Sequence, residues 1–283
     1  MATVSKMGVK SKITGFGLSG LTWLIAGLFF FPVFWMVLSA FKTEGDANGD
    51  PKLIFQPTLE QFSEVTSAGI GQLGFWEAFI NSAVIVITST ILVMVLAVPT
   101  AYALAIRPVA KWRDVLFFFI STKFLPIVAG ILPIYVLVNA LGSLGTYRGL
   151  IVLYTAMNLP LAVWMLWSFF REVPRELIEA AEIDGASLWA QMRSVVLPIV
   201  APGLAATGLL CFIFAWNEFF LAVQLNSAGG TTIPVWASSA VDERGQFLAK
   251  LSAASTLATL PVVVAGWLAQ KRMIRGLAMG AIK

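Results

Sequence analysis

The chain of 283 residues contains no histidine, a single cysteine and only 12% charged residues. Without histidine it lacks the commonest metal ligand and the commonest proton-transfer group near neutral pH. Cys211 alone cannot close an internal disulfide, so no redox framework holds the fold; its simplest role is that of a small packing residue. No G-x-x-x-x-G-K-[ST] phosphate loop occurs, and there is no nucleophile elbow, metal-ligand cluster or paired-carboxylate site. These absences argue against an enzyme. Soluble globular domains carry roughly 25% charged residues. Half that level, with 58% hydrophobic residues and a mean hydropathy of +0.85, points to an integral membrane protein. The net charge of +4 does not imply nucleic acid, because the basic residues are scattered in short segments between apolar runs.

What is present is six such runs: 17–41, 79–106, 115–141, 150–170, 203–225 and 251–270. About 20 apolar residues cross a hydrocarbon core about 30 Å thick. The first run is too long for a signal-peptide core of about 7–15 residues and reads as an uncleaved span. Backbone groups in lipid must be satisfied within the segment, so the runs are expected to be helices. The expected fold class is therefore all-α, a membrane bundle of six transmembrane helices. With the N-terminus placed inside, thirteen Lys and Arg fall in inner segments, five in outer loops, and Lys123 within a span. That bias follows the positive-inside rule. It predicts both termini and the loop 171–202 in the cytoplasm, with external loops 42–77 and 226–250. No repeat or soluble boundary interrupts the chain, so 1–283 reads as a single transmembrane domain. Trp23, Trp76, Trp112 and Trp236 fall near predicted interfaces, where tryptophans anchor.

The conspicuous polar stretch is Glu179–Gly203, EAAEIDGASLWAQMRSVVLPIVAPG, with Glu172, Glu176, Glu179, Glu182 and Asp184 inside it or just upstream. Pro174 suits a first helical turn. Leu177, Ile178 and Ala181 share one face, and Arg175 and Glu179 are spaced to pair. Gly185 fits a helix C′ position and would let two short helices approach closely. Ser187 can cap a second helix, with Leu188, Trp189, Met192, Val195 and Val196 as its apolar stripe and Pro198 closing it.

The spacing Glu179-Ala180-Ala181, Gly185, Val195, Leu197-Pro198 resembles the EAA loop of permease subunits of bacterial ATP-binding-cassette importers. The one departure is Val195, where the family usually has isoleucine. Phe34–Lys42 (FWMVLSAFK), Ala215-Trp216-Asn217-Glu218-Phe219 and Arg275-Gly276-Leu277 with Gly280-Ala281 are similar to the second permease of maltose-type systems, so the resemblance covers nearly the whole chain. It implies the type I importer permease fold, also called MetI-like, in the bacterial inner membrane. It implies that Glu179, Ala180, Ala181, Asp184, Gly185, Leu197 and Pro198 couple the chain to an ATPase. It further implies a second homologous permease, two cytoplasmic ATPase subunits and an external solute-binding protein. This chain would hold no cofactor of its own; ATP and Mg would be bound by the partner ATPases. The stretch Ser121–Thr146 is similar to permeases for sugar alcohols and monosaccharides, so a sugar, polyol or glycoside is the expected cargo.

Within the spans, Lys123 is expected about 12 Å deep at 1.5 Å per residue. It either faces the translocation path or snorkels to the interface. Pro126 and Pro133 near it would expose carbonyls to a cavity. Trp216, Asn217, Glu218 and Phe219 form the densest polar–aromatic cluster, suited to stacking on a sugar and binding its hydroxyls; Glu218 could equally hydrogen-bond a neighbouring helix. Asn158, beside Pro160, is a further pathway candidate. The competing class is a proton- or sodium-coupled carrier using Lys123 and Glu218 as relays. That reading leaves the EAA spacing unexplained.

Overall fold

The computed structural model describes residues 5–67, 74–107, 109–225, 230–239, 241–242 and 245–280. For 5–17, 241–242, 245–246 and 271–280 it describes the backbone alone, and Pro108, Ala281 and the side chains of Arg275 and Leu277 lie outside what is described. In chain order the elements are α1 (Ser5–Ser39), α2 (Glu44–Asn48), α3 (Glu60–Ser67), α4 (Phe75–Ala105), α5 (Trp112–Ser121), α6 (Ile127–Ala140), α7 (Tyr147–Phe170), α8 (Arg175–Ile183), α9 (Leu188–Gln191), α10 (Leu197–Trp216), α11 (Phe220–Leu225), α12 (Ile233–Ser238) and α13 (Leu248–Gly280). A two-residue antiparallel pair, Val241–Asp242 with Gly245–Gln246, is the one β element among the described residues. The fold is thus all-α in substance. Five described helical stretches are long and apolar enough to cross a membrane, or six if α5 and α6 count as one broken span.

The third expected span is not continuous. After α5, a 3₁₀ turn over Thr122–Phe124 leads into Leu125, which is extended at φ −72° and ψ 122°. The two halves are bent by 96°. Pro126 is the cause: it has no N–H to donate, and its ring drives the preceding residue out of the helical region. Pro133, by contrast, is carried inside α6.

The fifth expected span is also redrawn. Pro198 does not close the preceding helix. A π turn over Met192–Val196 joins α9 to α10, and the helical run extends over Leu188–Trp216. Pro198 falls in the first turn of α10, where a missing N–H is tolerated. The other end stops early, at Trp216 rather than Leu225.

By contacts the chain divides into two compact units. One comprises 1–68 and 240–257, the other 69–239 and 258–283. In the first, the Glu44 carboxylate accepts from the backbone N–H of Ala249 (3.1 Å) and Lys250 (2.9 Å), an acid capping the positive start of α13. Lys250 pairs with Glu64 at 3.3 Å. Lys42, only 1% exposed, sits over the Trp35 ring at 4.4 Å from its centroid and over Phe55 at 5.2 Å. In the 42–77 stretch, expected as a plain loop, α2 and α3 are helical because Thr43 caps one and Thr58 accepts from the Glu60 N–H ahead of the other.

In the second unit α4, α7 and α10 pack together. Their shared core includes Val93, Ala97 and Ala101 from α4, Ala162, Val163 and Leu166 from α7, and Val200 and Cys211 from α10. Small residues at such contacts let helix backbones approach, as membrane bundles require. Gly203 is the closest case: a Cβ there would lie 2.3 Å from Phe169 Cγ. At the start of α4, Asn81 bonds the Tyr147 hydroxyl, and Ser82 Oγ accepts from the Ile233 N–H at 2.8 Å. Trp236, expected as an interfacial anchor, is instead fully buried against Phe75.

Candidate functional site

The segment between α7 and α10 folds as two short helices around one turn. Pro174 is the residue before α8, with φ −60° and ψ 130°. The far end of α8 closes as a Schellman motif. The Ala186 N–H bonds the Ala181 carbonyl at 2.9 Å, and the Gly185 N–H bonds the Glu182 carbonyl at 3.0 Å. Gly185 takes φ +73°, the left-handed region that favours glycine. A Cβ on Gly185 would meet nothing within 4 Å. The glycine therefore serves the backbone turn, and the position a Cβ would take there is open space. Ser187 then caps α9, its Oγ accepting from the Ala190 N–H at 3.3 Å.

The helices of this segment have two faces. Ile178, Ala181, Gln191 and Val196 are buried, and Met192, Val195 and Leu197 pack against the core. Leu177, Leu188, Ile183 (87% exposed) and Trp189 (66% exposed) point outward around the Gly185 turn. The apolar stripe expected on the second helix is therefore split between core and surface. Glu179, Ala180, Asp184 and Pro198 are also exposed. The expected Arg175–Glu179 pair does not form; among the described residues Glu182 instead takes Arg107, two residues past α4. Gln191 donates from Nε2 to the Ala186 carbonyl at 2.9 Å and accepts at Oε1 from the Tyr102 hydroxyl at 3.5 Å. Tyr102, Arg107 and Gln191 escape sequence reasoning. The available signal was an amide, Gln191, lying beside an otherwise apolar stripe.

The polar candidates in the spans do not converge. Lys123 lies in the turn between α5 and α6, exposed, and its Nζ donates to the Met157 carbonyl at 2.9 Å. That carbonyl lies in the turn of α7 before Pro160, which has no N–H to give the Ala156 carbonyl. Asn158, in the same turn, is 1% exposed. Its Nδ2 donates to the Tyr154 carbonyl at 3.1 Å, and its Oδ1 has no protein partner. Trp216 is buried, stacked on Phe212 and with its indole N–H on the Ala258 carbonyl at 3.0 Å. Asn217 is exposed and donates to the Ile213 carbonyl at 2.8 Å. Both Glu218 oxygens are engaged in capping α11, accepting from the Leu221 N–H at 2.9 Å and the Ala222 N–H at 3.2 Å. Phe219 is exposed. The expected cluster is thus the end of a helix and the cap of the next, with one member facing the core. No group of three or more Cys, Asp or Glu among the described residues is arranged to hold a metal.

Residues 97–275 match the family described as binding-protein-dependent transport system inner membrane component. Over 264 residues the chain is 34% identical to the sulfoquinovosyl glycerol transport system permease protein of Agrobacterium fabrum, covering 92% of this chain and 90% of that protein. It is 33% identical, over 264 residues, to the trehalose transport system permease protein of Mycobacterium tuberculosis, covering 92% and 94%. A chain of a crystal structure of a bacterial ABC transporter involved in the import of the acidic polysaccharide alginate superposes with a TM-score of 0.73 at 21% identity, covering 93% of this chain and 97% of the other. That likeness establishes a common fold.

Proposed function

This chain belongs to the inner membrane components of binding-protein-dependent transport systems, and we propose that it forms half of a pore through which an ATP-driven importer brings in a carbohydrate. It is a permease subunit of an ATP-binding-cassette importer, a membrane protein rather than the hydrolase. In this reading a second homologous permease completes the pore, and two ATPase subunits bind ATP and Mg on the cytoplasmic side. Both termini and the α8–α9 segment face the cytoplasm, following the distribution of Lys and Arg. The external solute-binding protein meets the loops 42–77 and 226–250.

The observation that carries the docking role is the outward apolar crown of Leu177, Ile183, Leu188 and Trp189 around the Gly185 turn. Exposed apolar groups rimmed by carboxylates mark an interaction surface, and nothing in the described chain covers these. Glu179, Ala180, Ala181, Asp184, Gly185, Leu197 and Pro198 set the shape that an ATPase cleft would receive. Closure of the ATPases on ATP would then rock the spans between inward-open and outward-open states. We assign polar contacts along the path to Lys123 and Asn217, whose side chains are exposed, and to Asn158 through its unpaired Oδ1, with the exposed ring of Phe219 as an apolar stacking face. Trp216 and Glu218 hold the end of α10 together. The relatives' names speak for a sugar or glycoside as cargo, and the resemblance of Ser121–Thr146 keeps a polyol beside them.

The test is reconstitution with the cognate permease, ATPases and binding protein in liposomes, screened against sugars, polyols and glycosides. Stimulated ATP hydrolysis only with the complete set, and uptake indifferent to an uncoupler, is expected. Uptake abolished by the uncoupler at constant ATP would replace the importer with an ion-coupled carrier.

A further inference from the structure

The α8–α9 segment is joined by the chain to α7 and α10, but α4 has no such connection. Yet α4 is bound to both short helices. Glu182, on α8, pairs with Arg107 across 75 positions of sequence. Gln191, on α9 and 3% exposed, accepts a long bond of 3.5 Å from the Tyr102 hydroxyl. Tyr102 and Arg107 are joined across the end of α4: the Tyr102 carbonyl accepts from the Ile106 N–H at 3.0 Å and from the Arg107 N–H at 3.3 Å. Gln191 also holds the Ala186 carbonyl, one residue past the Gly185 turn.

We infer that Arg107–Glu182 and Tyr102–Gln191 are a two-point link that carries displacement of the docking segment into α4. The inference rests on the docking role proposed for that segment. A single contact would leave α4 free to pivot, whereas two contacts at its end, five residues apart, fix both its position and its rotation. Arg107, Glu182, Tyr102 and Gln191 are positioning residues in this scheme and touch neither nucleotide nor cargo. The ion pair is about half exposed at both ends. An exposed pair contributes little singly, so the buried amide of Gln191 supplies the second hold.

The experiment places spin labels on the exposed residues Val95 of α4 and Glu176 of α8, each changed to cysteine; the buried Cys211 stays unlabelled. Distances are measured in the assembled importer, nucleotide-free and trapped with MgADP and vanadate. In the otherwise unaltered chain the distance is expected to be one narrow distribution, the same in both states. R107E and Q191M should each widen it at least twofold in the trapped state, and the swap R107E/E182R should restore the R107E width. Where R107E does not assemble, E182Q, which changes a surface carboxylate only, carries the same expectation. Unchanged width in the single variants, or a swap that assembles without restoring it, overturns the link. A cysteine at Trp189 that fails to crosslink to the ATPase overturns the docking reading and the link with it. Crosslinking retained with unchanged widths overturns the link alone.

Discussion

Gly185 is the position where one added methyl group isolates a single physical effect. Its φ of +73° is unfavourable for any residue with a Cβ. That Cβ would meet nothing within 4 Å, so no steric clash is added to the backbone term. A left-handed residue costs about 1–2 kcal/mol, and 1.36 kcal/mol is a factor of ten. G185A should therefore open the turn roughly 5- to 30-fold more often. The reporter is the Ala186 amide, whose 2.9 Å bond to the Ala181 carbonyl exists only while the turn is closed. Its hydrogen-exchange protection should fall by that factor in G185A. G185N should lose less, because asparagine visits the left-handed region readily, and G185V should lose more, because a β-branched residue there is an outlier. Uptake by the assembled importer should follow the same order. Equal protection in G185A and the unaltered chain, or G185N as poor as G185V, would refute the backbone argument.

G203A forces a Cβ to within 2.3 Å of Phe169 Cγ and should destabilise by about 1–3 kcal/mol, as overpacking does; thermal unfolding in detergent reads this, and F169L should recover part of the loss. E218A leaves the Leu221 and Ala222 N–H groups uncapped and should cost about 1 kcal/mol of stability, with uptake per folded molecule unchanged. Loss of uptake at unchanged thermal midpoint would move Glu218 back into the path. K123M removes one hydrogen bond from a charged donor to a carbonyl, about 1.5–3 kcal/mol at most, and should lower the uptake rate far more than the folded yield; unchanged kinetics would leave Lys123 only the task of bracing the break at Pro126.

The turn chemistry of the docking segment was legible residue by residue. A glycine at C′ and a serine at an N-cap each satisfy backbone groups within a few positions, so spacing alone determines them. The apolar runs were legible for a similar reason, since the need to satisfy every backbone group in lipid leaves few alternatives to a helix. Prolines were harder to read. Pro126 breaks its span, while Pro133, Pro160 and Pro202 are carried inside helices. What separates them is whether neighbouring turns absorb the missing donor, as the π turn does ahead of Pro198. Long-range pairing was illegible altogether: Glu182 had a nearer arginine at i−7 and Glu179 one at i−4, yet Arg107 takes Glu182 across the fold.

The same division explains why the two ends of the chain's task differ in how far sequence reaches. The docking side is built from local geometry that one continuous stretch specifies, two short helices around the Gly185 turn. The cargo side depends on which polar atoms remain unspent after packing. Trp216 and Glu218 look like ligand groups in a linear string because tryptophan, amide and carboxylate side chains are adjacent there. Folded, the indole N–H is spent on Ala258 and the carboxylate on α11. Asn158 looks weaker in the string, yet its Oδ1 is the buried acceptor left without a protein partner in that turn. A buried polar group without a partner costs about 1–3 kcal/mol, which is why Asn158 stands among the path contacts proposed above and Glu218, both oxygens of which are spent, does not.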